Sequence, residues 1–389
     1  MLFRSARAML ELDRPRLRNQ PGEDNAYFYT ARGVAVVIAP WNFPLAILCG
    51  MTMAALAAGD PVVLKPAEQS SVVAAKFVEI LRSLDLPAGV VGFVPGVGEE
   101  VGRRLAEHPD VSVVAFTGSV PVGLSLIRQA ADVRPGQRHV KRVVAEMGGK
   151  NAVVVDDDAD LDEAVRGVVA SAFGYQGQKC SACSRVIVLP GVYDAFVARL
   201  RNAVASLSIG PAEDPTYSLG PVIDVEARDR LFDAVARGRR EATCLYAGDP
   251  GPAAQVGCYV GPHLFVDVPP DSFLAQTELF GPVLAVLRAR DLDEAISIAN
   301  GTAYALTGGL FSRNPETIER VKRELEVGNL YINRRITGAE VDRQPFGGFK
   351  LSGVGAKAGG PDYLLQFLNP RSITENTLRR GFAPTQEHS

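Results

Sequence analysis

Histidine is scarce: only His108, His139, His263 and His388 stand in 389 residues. All four lie far in sequence from the one C-x-x-C of the chain, Cys180-Ser181-Ala182-Cys183, and no second cysteine pair stands at zinc-site spacing. No metal is therefore expected. A G-x-S-x-G elbow is missing as well, and no His accompanies a candidate Ser, which argues against a serine hydrolase. Charge of one sign is absent: 41 basic residues face 44 acidic ones, net −3, with the basic ones scattered. Nothing here predicts a nucleic-acid partner. Long apolar runs are broken. The nearest to a membrane span, Gly33 to Gly59, carries Pro40, Asn42 and Pro44 in its middle, so a strand, a turn and a buried helix are expected instead, with no membrane partner. Low-complexity stretches and short repeats are lacking too. Five cysteines is an odd count, and Met1 to Leu12 mixes arginines with apolar residues and shows no small-residue cleavage site. Reduced thiols in a cytoplasmic protein are the expectation, not a disulfide framework.

What is present is an apolar, well-punctuated chain: 47% hydrophobic, 22% charged, with 38 Gly and 26 Pro. That is enough for at least two domains with real cores. β-Branched runs alternate with helical stretches. Strands are expected at Val34 to Ala39, Pro61 to Leu64, Val90 to Val94, Val111 to Phe116 and Lys141 to Ala145. Helices are expected at Leu45 to Ala58, Ser70 to Leu84, Glu99 to Glu107 and Pro121 to Ala131. Such alternation predicts a parallel, doubly wound sheet with ligands at the carboxyl ends of its strands. A second α/β unit follows: Ala152 to Val155, a helix over Leu161 to Phe173, Val186 to Leu189, a helix over Tyr193 to Leu207, then Val283 to Leu287, Leu292 to Asn300 and Asn329 to Asn333. The boundary falls near Gly148 to Asn151. After Pro370 the sequence turns polar and reads as an irregular tail.

The densest chemical signal is Gly177-Gln178-Lys179-Cys180 and its surroundings. A thiol at the end of a small, Gly-rich turn beside a Lys is placed as a nucleophile, because cations favour the thiolate. Upstream, Glu146-Met147-Gly148-Gly149-Lys150 offers a carboxylate on another Gly-loosened turn, a candidate base. A thioredoxin-like reading of the C-x-x-C needs a helix start, whereas a strand follows here. Cys183, Cys49 and Cys244 read as structural thiols. Phe116-Thr117-Gly118-Ser119, between strand and helix, fits either a phosphate cradle or a simple N-cap. Pro95-Gly96-Val97-Gly98-Glu99-Glu100-Val101-Gly102 is a dinucleotide-fingerprint variant whose last Gly comes one residue late. Lys65 and Glu68 follow a strand and suit adenosine ribose hydroxyls, or a solvated ion pair; a carboxylate there favours NAD over NADP. Asn42, on a turn between prolines, offers an amide to an oxyanion, or is simply an Asn in a turn. The acidic run Asp156-Asp157-Asp158-Ala159-Asp160 reads as a solvated helix start.

Taken together, Pro40-Trp41-Asn42-Phe43-Pro44, Lys65-Pro66-Ala67-Glu68, Phe116-Thr117-Gly118-Ser119, Glu146-Met147-Gly148-Gly149-Lys150, Gly177-Gln178-Lys179-Cys180, Glu278-Leu279-Phe280-Gly281-Pro282 and Pro345-Phe346-Gly347-Gly348 resemble, in order, the motifs of the NAD(P)-dependent aldehyde dehydrogenase family. The match runs from about Tyr29 to Pro370. Within that family, Gly177 to Arg185, Asn329 to Arg334, Ile336 to Ala339 and Lys357 to Tyr363 resemble the branch that oxidises L-glutamate γ-semialdehyde to glutamate in proline degradation. The resemblance implies an α/β fold: a doubly wound parallel-sheet NAD domain, an α/β catalytic domain and oligomerisation segments. It implies a remnant helix and oligomerisation hairpin over 1–31, an NAD-binding domain over 32–148, a catalytic domain over 149–345, and a return to the NAD domain with an oligomerisation tail over 346–389. By the same resemblance Cys180 attacks the aldehyde, Asn42 and the Cys180 backbone N–H hold the oxyanion, and Glu146 activates water. Lys65, Glu68, Gly118, Ser119, Glu278 and Phe280 would bind NAD. Ser181 with the backbone of Gly338 and Ala339 would take the substrate carboxylate, between Phe43 and Phe346. A small-molecule substrate and a homodimer or higher homo-oligomer are implied, with proline dehydrogenase a candidate partner. Family chains start further upstream, so this one is expected to be N-terminally short. The alternatives are a dehydrogenase for another carboxylated aldehyde, an inactive truncated member, or a thiol acyltransferase or esterase.

Overall fold

The computed structural model describes residues 2–12 and 17–378. Its centre is two sheets. In the first, the strand order is Gly353–Val354, Arg142–Glu146, Val111–Thr117, Val34–Ile38, Val62–Lys65, Val91–Phe93. All neighbours are parallel except Gly353–Val354, which runs antiparallel to Arg142–Glu146. Strand side chains alternate faces, and both faces here are covered. Ala35 and Val37 join one apolar cluster with Leu48, Met51 and Phe77; Val36 and Ile38 join another with Ala106 and Leu126. That is why Val34–Ile38 reads as an unbroken apolar run, each side chain contributing roughly 1.5–3 kcal/mol by leaving water.

The second sheet repeats the logic over seven strands, ordered Asn329–Ile332, Thr307–Phe311, Asn151–Val155, Cys183–Val188, Val283–Arg288, His263–Val266, Thr243–Ala247. Only the last runs antiparallel to its neighbour. Ala152, Val154 and Ile187 face one cluster; Val153, Val155 and Val186 face the other. Helix Leu161–Phe173 begins at Asp160, whose carboxylate accepts from the N–H of Asp162 and Glu163. Asp157 and Asp158 are exposed as the acidic run implies, and Asp156 alone is buried; the Ser312 hydroxyl lies 2.8 Å from Asp156 and 3.0 Å from Asp158.

Several elements escape the sequence pattern. Thr307–Phe311 carries Gly308 and Gly309 in mid-strand, normally a weakening choice. A Cβ on Gly309 would stand 2.6 Å from Ile336, so close packing dictates the glycine and hides the strand. Helix Val225–Glu241 is mostly charged, with Leu231 and Val235 among the few residues it buries. Among the described residues of 1–31 no strand pairs with another of the same segment. Glu23–Ala31 pairs antiparallel with Leu368–Asn376, in a ribbon joining distant parts of the chain. The expected irregular tail is thus a nine-residue strand over Leu368–Asn376, because a two-stranded ribbon needs backbone partners rather than an apolar pattern. Beyond Leu378 the tail lies outside the described residues.

Arg185 is a large buried side chain with no carboxylate partner in contact. Its guanidinium donates to the carbonyls of Lys150 (3.0 and 2.8 Å), Ile298 (2.8 Å) and Ala299 (2.9 Å). The last two are end carbonyls of helix Leu292–Asn300, which otherwise lack donors. Arg185→Met should therefore leave buried acceptors unsatisfied and cost about 3 kcal/mol or more. A urea midpoint unchanged from wild type would refute this.

Candidate active site

The thiol of Cys180 sits on a turn that side chains hold from three directions. Tyr175 and Gln176 take left-handed backbone angles (φ 61° and 55°), and Gly177 follows at φ 67°. A Cβ on Gly177 would strike the Gly281 carbonyl, so only glycine fits. Asn151, the first residue of its strand, donates to the carbonyls of Cys180 and Ala182, both at 2.8 Å, and accepts from the Thr307 N–H at 3.0 Å. Gln178 is buried, and its side-chain oxygen accepts from the Ile223 N–H at 3.0 Å. Asn42 reaches from the loop after Val34–Ile38 and donates to the Gln178 carbonyl at 3.0 Å. An amide has two N–H groups, and this bond uses one of them. Asn151 and Gln178 went unnoticed in the sequence. A buried amide inside a Gly-rich motif was the available signal.

Cys180, Glu146, Phe43, Ser181, Ala339 and Phe346 share one cavity of about 360 Å³, with Gly338 also in its wall. Phe43 stacks on Tyr175 at 6.0 Å between ring centroids. Glu146 ends its strand at the cavity wall and keeps part of its surface toward the interior. Burial pushes its carboxyl up to about 8, and the charge of Lys357 opposes the rise. The thiol departs from the sequence expectation. The cation beside it does not lower it: burial first, then the carboxylates of Glu146 and Glu278, push Cys180 well above the usual thiol range. The N–H groups of Ser181 and Cys180 pull the other way and do not prevail. A thiol so placed is neutral at rest and needs a base.

Other predicted residues lie around this cavity rather than in its lining. Glu278 is wedged against Gly148, where a Cβ would overlap its carboxylate, and accepts from the Gly149 N–H at 3.1 Å. Burial raises its carboxyl. Phe280 (φ 55°) meets Trp41 edge-on at 5.6 Å. Lys65 and Glu68, at the carboxyl end of Val62–Lys65, form an ion pair at 3.0 Å with Lys65 buried. The backbone of Gly98 bounds the space beside them. The dinucleotide-like Gly run forms a π-helical turn, Gly98–Gly102, leading into Arg103–Glu107, instead of one α-helix. Ser119 stands at the N-cap of Val120–Ala131 but makes no capping bond. The simple N-cap is thus not realised, and the hydroxyl is left at a helix start, a position that suits an anion. Cys183, buried, is the first residue of its strand and donates to the Arg185 carbonyl at 3.3 Å. Burial pushes it to about 12. Among the described residues, no group of three His, Cys, Asp or Glu is arranged to hold a metal ion.

The Aldehyde dehydrogenase family profile matches residues 1–373. The chain belongs to the aldehyde dehydrogenase family. Among curated relatives it is 48% identical over 371 residues to the 1-pyrroline-5-carboxylate dehydrogenase of Geobacillus kaustophilus, covering 95% of this chain and 72% of that one. It is 47% identical, with the same coverage, to 1-pyrroline-5-carboxylate dehydrogenase 2 of Bacillus subtilis. The solved structure of 1-pyrroline-5-carboxylate dehydrogenase from Thermus with bound NAD superposes with a TM-score of 0.93 at 46% identity, over 96% of this chain and 73% of that one. Proline utilization A from Bdellovibrio bacteriovorus superposes at 0.94 and 57% identity over 99% of this chain. The chain spans 40% of that protein's length.

Proposed function

We infer that this aldehyde dehydrogenase oxidises L-glutamate γ-semialdehyde, the open form of 1-pyrroline-5-carboxylate, to L-glutamate with NAD. One observation carries the reading. A thiol and a raised carboxyl share a cavity whose wall also presents Ser181, Gly338 and Ala339, between Phe43 and Phe346. A hydroxyl and backbone N–H groups suit a carboxylate, and two aromatic rings suit a short methylene chain. The relatives named 1-pyrroline-5-carboxylate dehydrogenase support the same substrate.

The residues act in sequence. The Cys180 thiol gives up its proton to solvent, and the thiolate attacks the aldehyde carbon to form a thiohemiacetal. The other N–H of Asn42 and the Cys180 backbone N–H hold the resulting oxyanion. NAD, when bound, is the oxidant that converts the thiohemiacetal to a thioester. Its proposed holders fit it: the Lys65–Glu68 pair for the adenosine ribose, Gly118 and Ser119 for the pyrophosphate, Glu278 for the nicotinamide ribose and Phe280 beside the ring. Once its proton has left for solvent, Glu146 takes one from a water molecule, which attacks the thioester carbon. Glutamate leaves and Cys180 is restored.

The first sheet is then the cofactor unit and the second the catalytic unit. The ribbon of Glu23–Ala31 and Leu368–Asn376 is the proposed contact between copies. No described helix is long and apolar enough to cross a membrane; a cytoplasmic enzyme receiving its substrate from proline dehydrogenase is the proposed setting.

The test is NADH formation at 340 nm with glutamate γ-semialdehyde, set against succinate semialdehyde in competition. Preferred turnover of the former supports the reading. Preference for the latter would replace the substrate, and no turnover by folded protein would favour an inactive family member. Ser181→Ala should raise KM about tenfold or more for the carboxylated substrate and leave an uncharged aldehyde of similar length nearly unchanged. Equal effects on both aldehydes would remove Ser181 from the carboxylate subsite.

A further inference from the structure

Lys357 is a partly buried ammonium without an anion in contact. Its Nζ donates to the Asn329 side-chain oxygen at 3.0 Å, to the Gly347 carbonyl at 3.1 Å, and to the Gly328 carbonyl. All three acceptors are neutral, and they use its three N–H groups. Among the described residues, no carboxylate lies within 4.0 Å of it. Glu146 lines the cavity together with Gly355, Ala356 and Ala358, the chain neighbours of Lys357, and its carboxyl has no hydrogen-bond partner among the described residues. The strands bring the two together: Gly353 pairs with Glu146 in register, and the chain reaches Lys357 four residues later. The ammonium also pins the loop beyond Phe346, since Gly347 is one of its acceptors and Ala358 pairs with Phe346 in both directions, at 2.9 and 2.7 Å.

A cation without a counter-ion, brought by strand pairing near a half-buried acid, has one electrostatic consequence. We propose that Lys357 is a positioning residue whose fixed charge keeps Glu146 available as the base for thioester hydrolysis, and that its three neutral anchors hold that charge in place. The inference rests on the reading of Glu146 as base. The groups facing Glu146 are Lys357, the Cys180 thiol and the Tyr363 phenol. Both Cys180 and Tyr363 are held neutral, so Lys357 alone supplies charge. The coupling runs both ways, because burial lowers Lys357 and the Glu146 charge raises it.

The test compares Lys357→Gln, which keeps donors for the carbonyls and removes the charge, with Lys357→Arg, which keeps both. Wild-type turnover first establishes Glu146 as base, through its loss in Glu146→Gln. The apparent pKa of thioester hydrolysis, from single-turnover rates against pH, should then rise by about one unit in Lys357→Gln. At pH 7 that is about a tenfold slower hydrolysis. In Lys357→Arg the pKa should stay within a few tenths of wild type. Infrared titration of the protonated carboxyl band, identified by its loss in Glu146→Gln, gives the same midpoint without activity. An unshifted midpoint in Lys357→Gln, even with slower turnover, would leave Lys357 a loop anchor only and overturn the proposal.

Discussion

Cys180→Ala should abolish NADH formation, lowering kcat on the order of 10⁴-fold or more, because the covalent route disappears with the nucleophile. The cavity retains its other walls, so melting temperature and NAD binding should change little. Residual turnover within tenfold of wild type would remove Cys180 from the chemistry. The size of the effect follows from the site's construction. Asn42, Asn151 and Gln178 hold the turn whether or not the thiol is present. Little besides sulfur is lost, and the loss should appear in kcat rather than in folding.

Glu146→Gln should separate the two halves of the reaction. Glutamine is close in size, so the cavity persists, but no group remains to take a proton from water. Formation of NADH should proceed for about one equivalent of enzyme and then stall, with steady-state turnover down by 10²–10⁴-fold, the usual range for general base catalysis. Mass spectrometry should find the acyl group on Cys180. Unchanged steady-state turnover would end the assignment. In the wild type, hydrolysis should rise with pH and level off above about 8, since burial raises the Glu146 carboxyl to that value and only the ionised form accepts a proton. At pH 7 roughly one-tenth is ionised.

The same shift has a stability sign. The folded carboxyl keeps its proton between about 4.5 and 8 while the unfolded chain has released it. The native state then binds more protons than the unfolded one, so this group makes stability fall as pH rises through that window. Glu146→Gln should remove the slope and show a flatter dependence of melting temperature on pH from 5 to 8. A variant with the wild-type slope would place the titrating group elsewhere.

The motifs were legible because their physical demands are local. A Gly-rich turn around Cys180 or beneath Glu278 is required by backbone angle and close approach, and glycine marks such places in any sequence. Buried parallel strands also declare themselves, as in Val34–Ile38 and Val111–Thr117, since both faces must be apolar. By contrast Thr307–Phe311 was missed because Ile336 forbids side chains where strand residues normally advertise themselves. Leu368–Asn376 was missed because its partner is more than 300 residues away.

The sequence by itself determined the alternating architecture, the family, and the candidates for the chemistry: a thiol, a carboxyl and an amide on separate loosened turns. Only the tertiary structure decided how those groups behave. Cys180 has a Lys beside it in sequence, yet the thiol is raised, because protein surrounds it and two carboxylates from distant segments face it. Burial likewise raises the Glu146 carboxyl to about 8, with the segment of Lys357 brought near by strand pairing. Identity is local, whereas ionisation depends on every charge and every dry surface within a few ångströms, and those are assembled only when the chain folds.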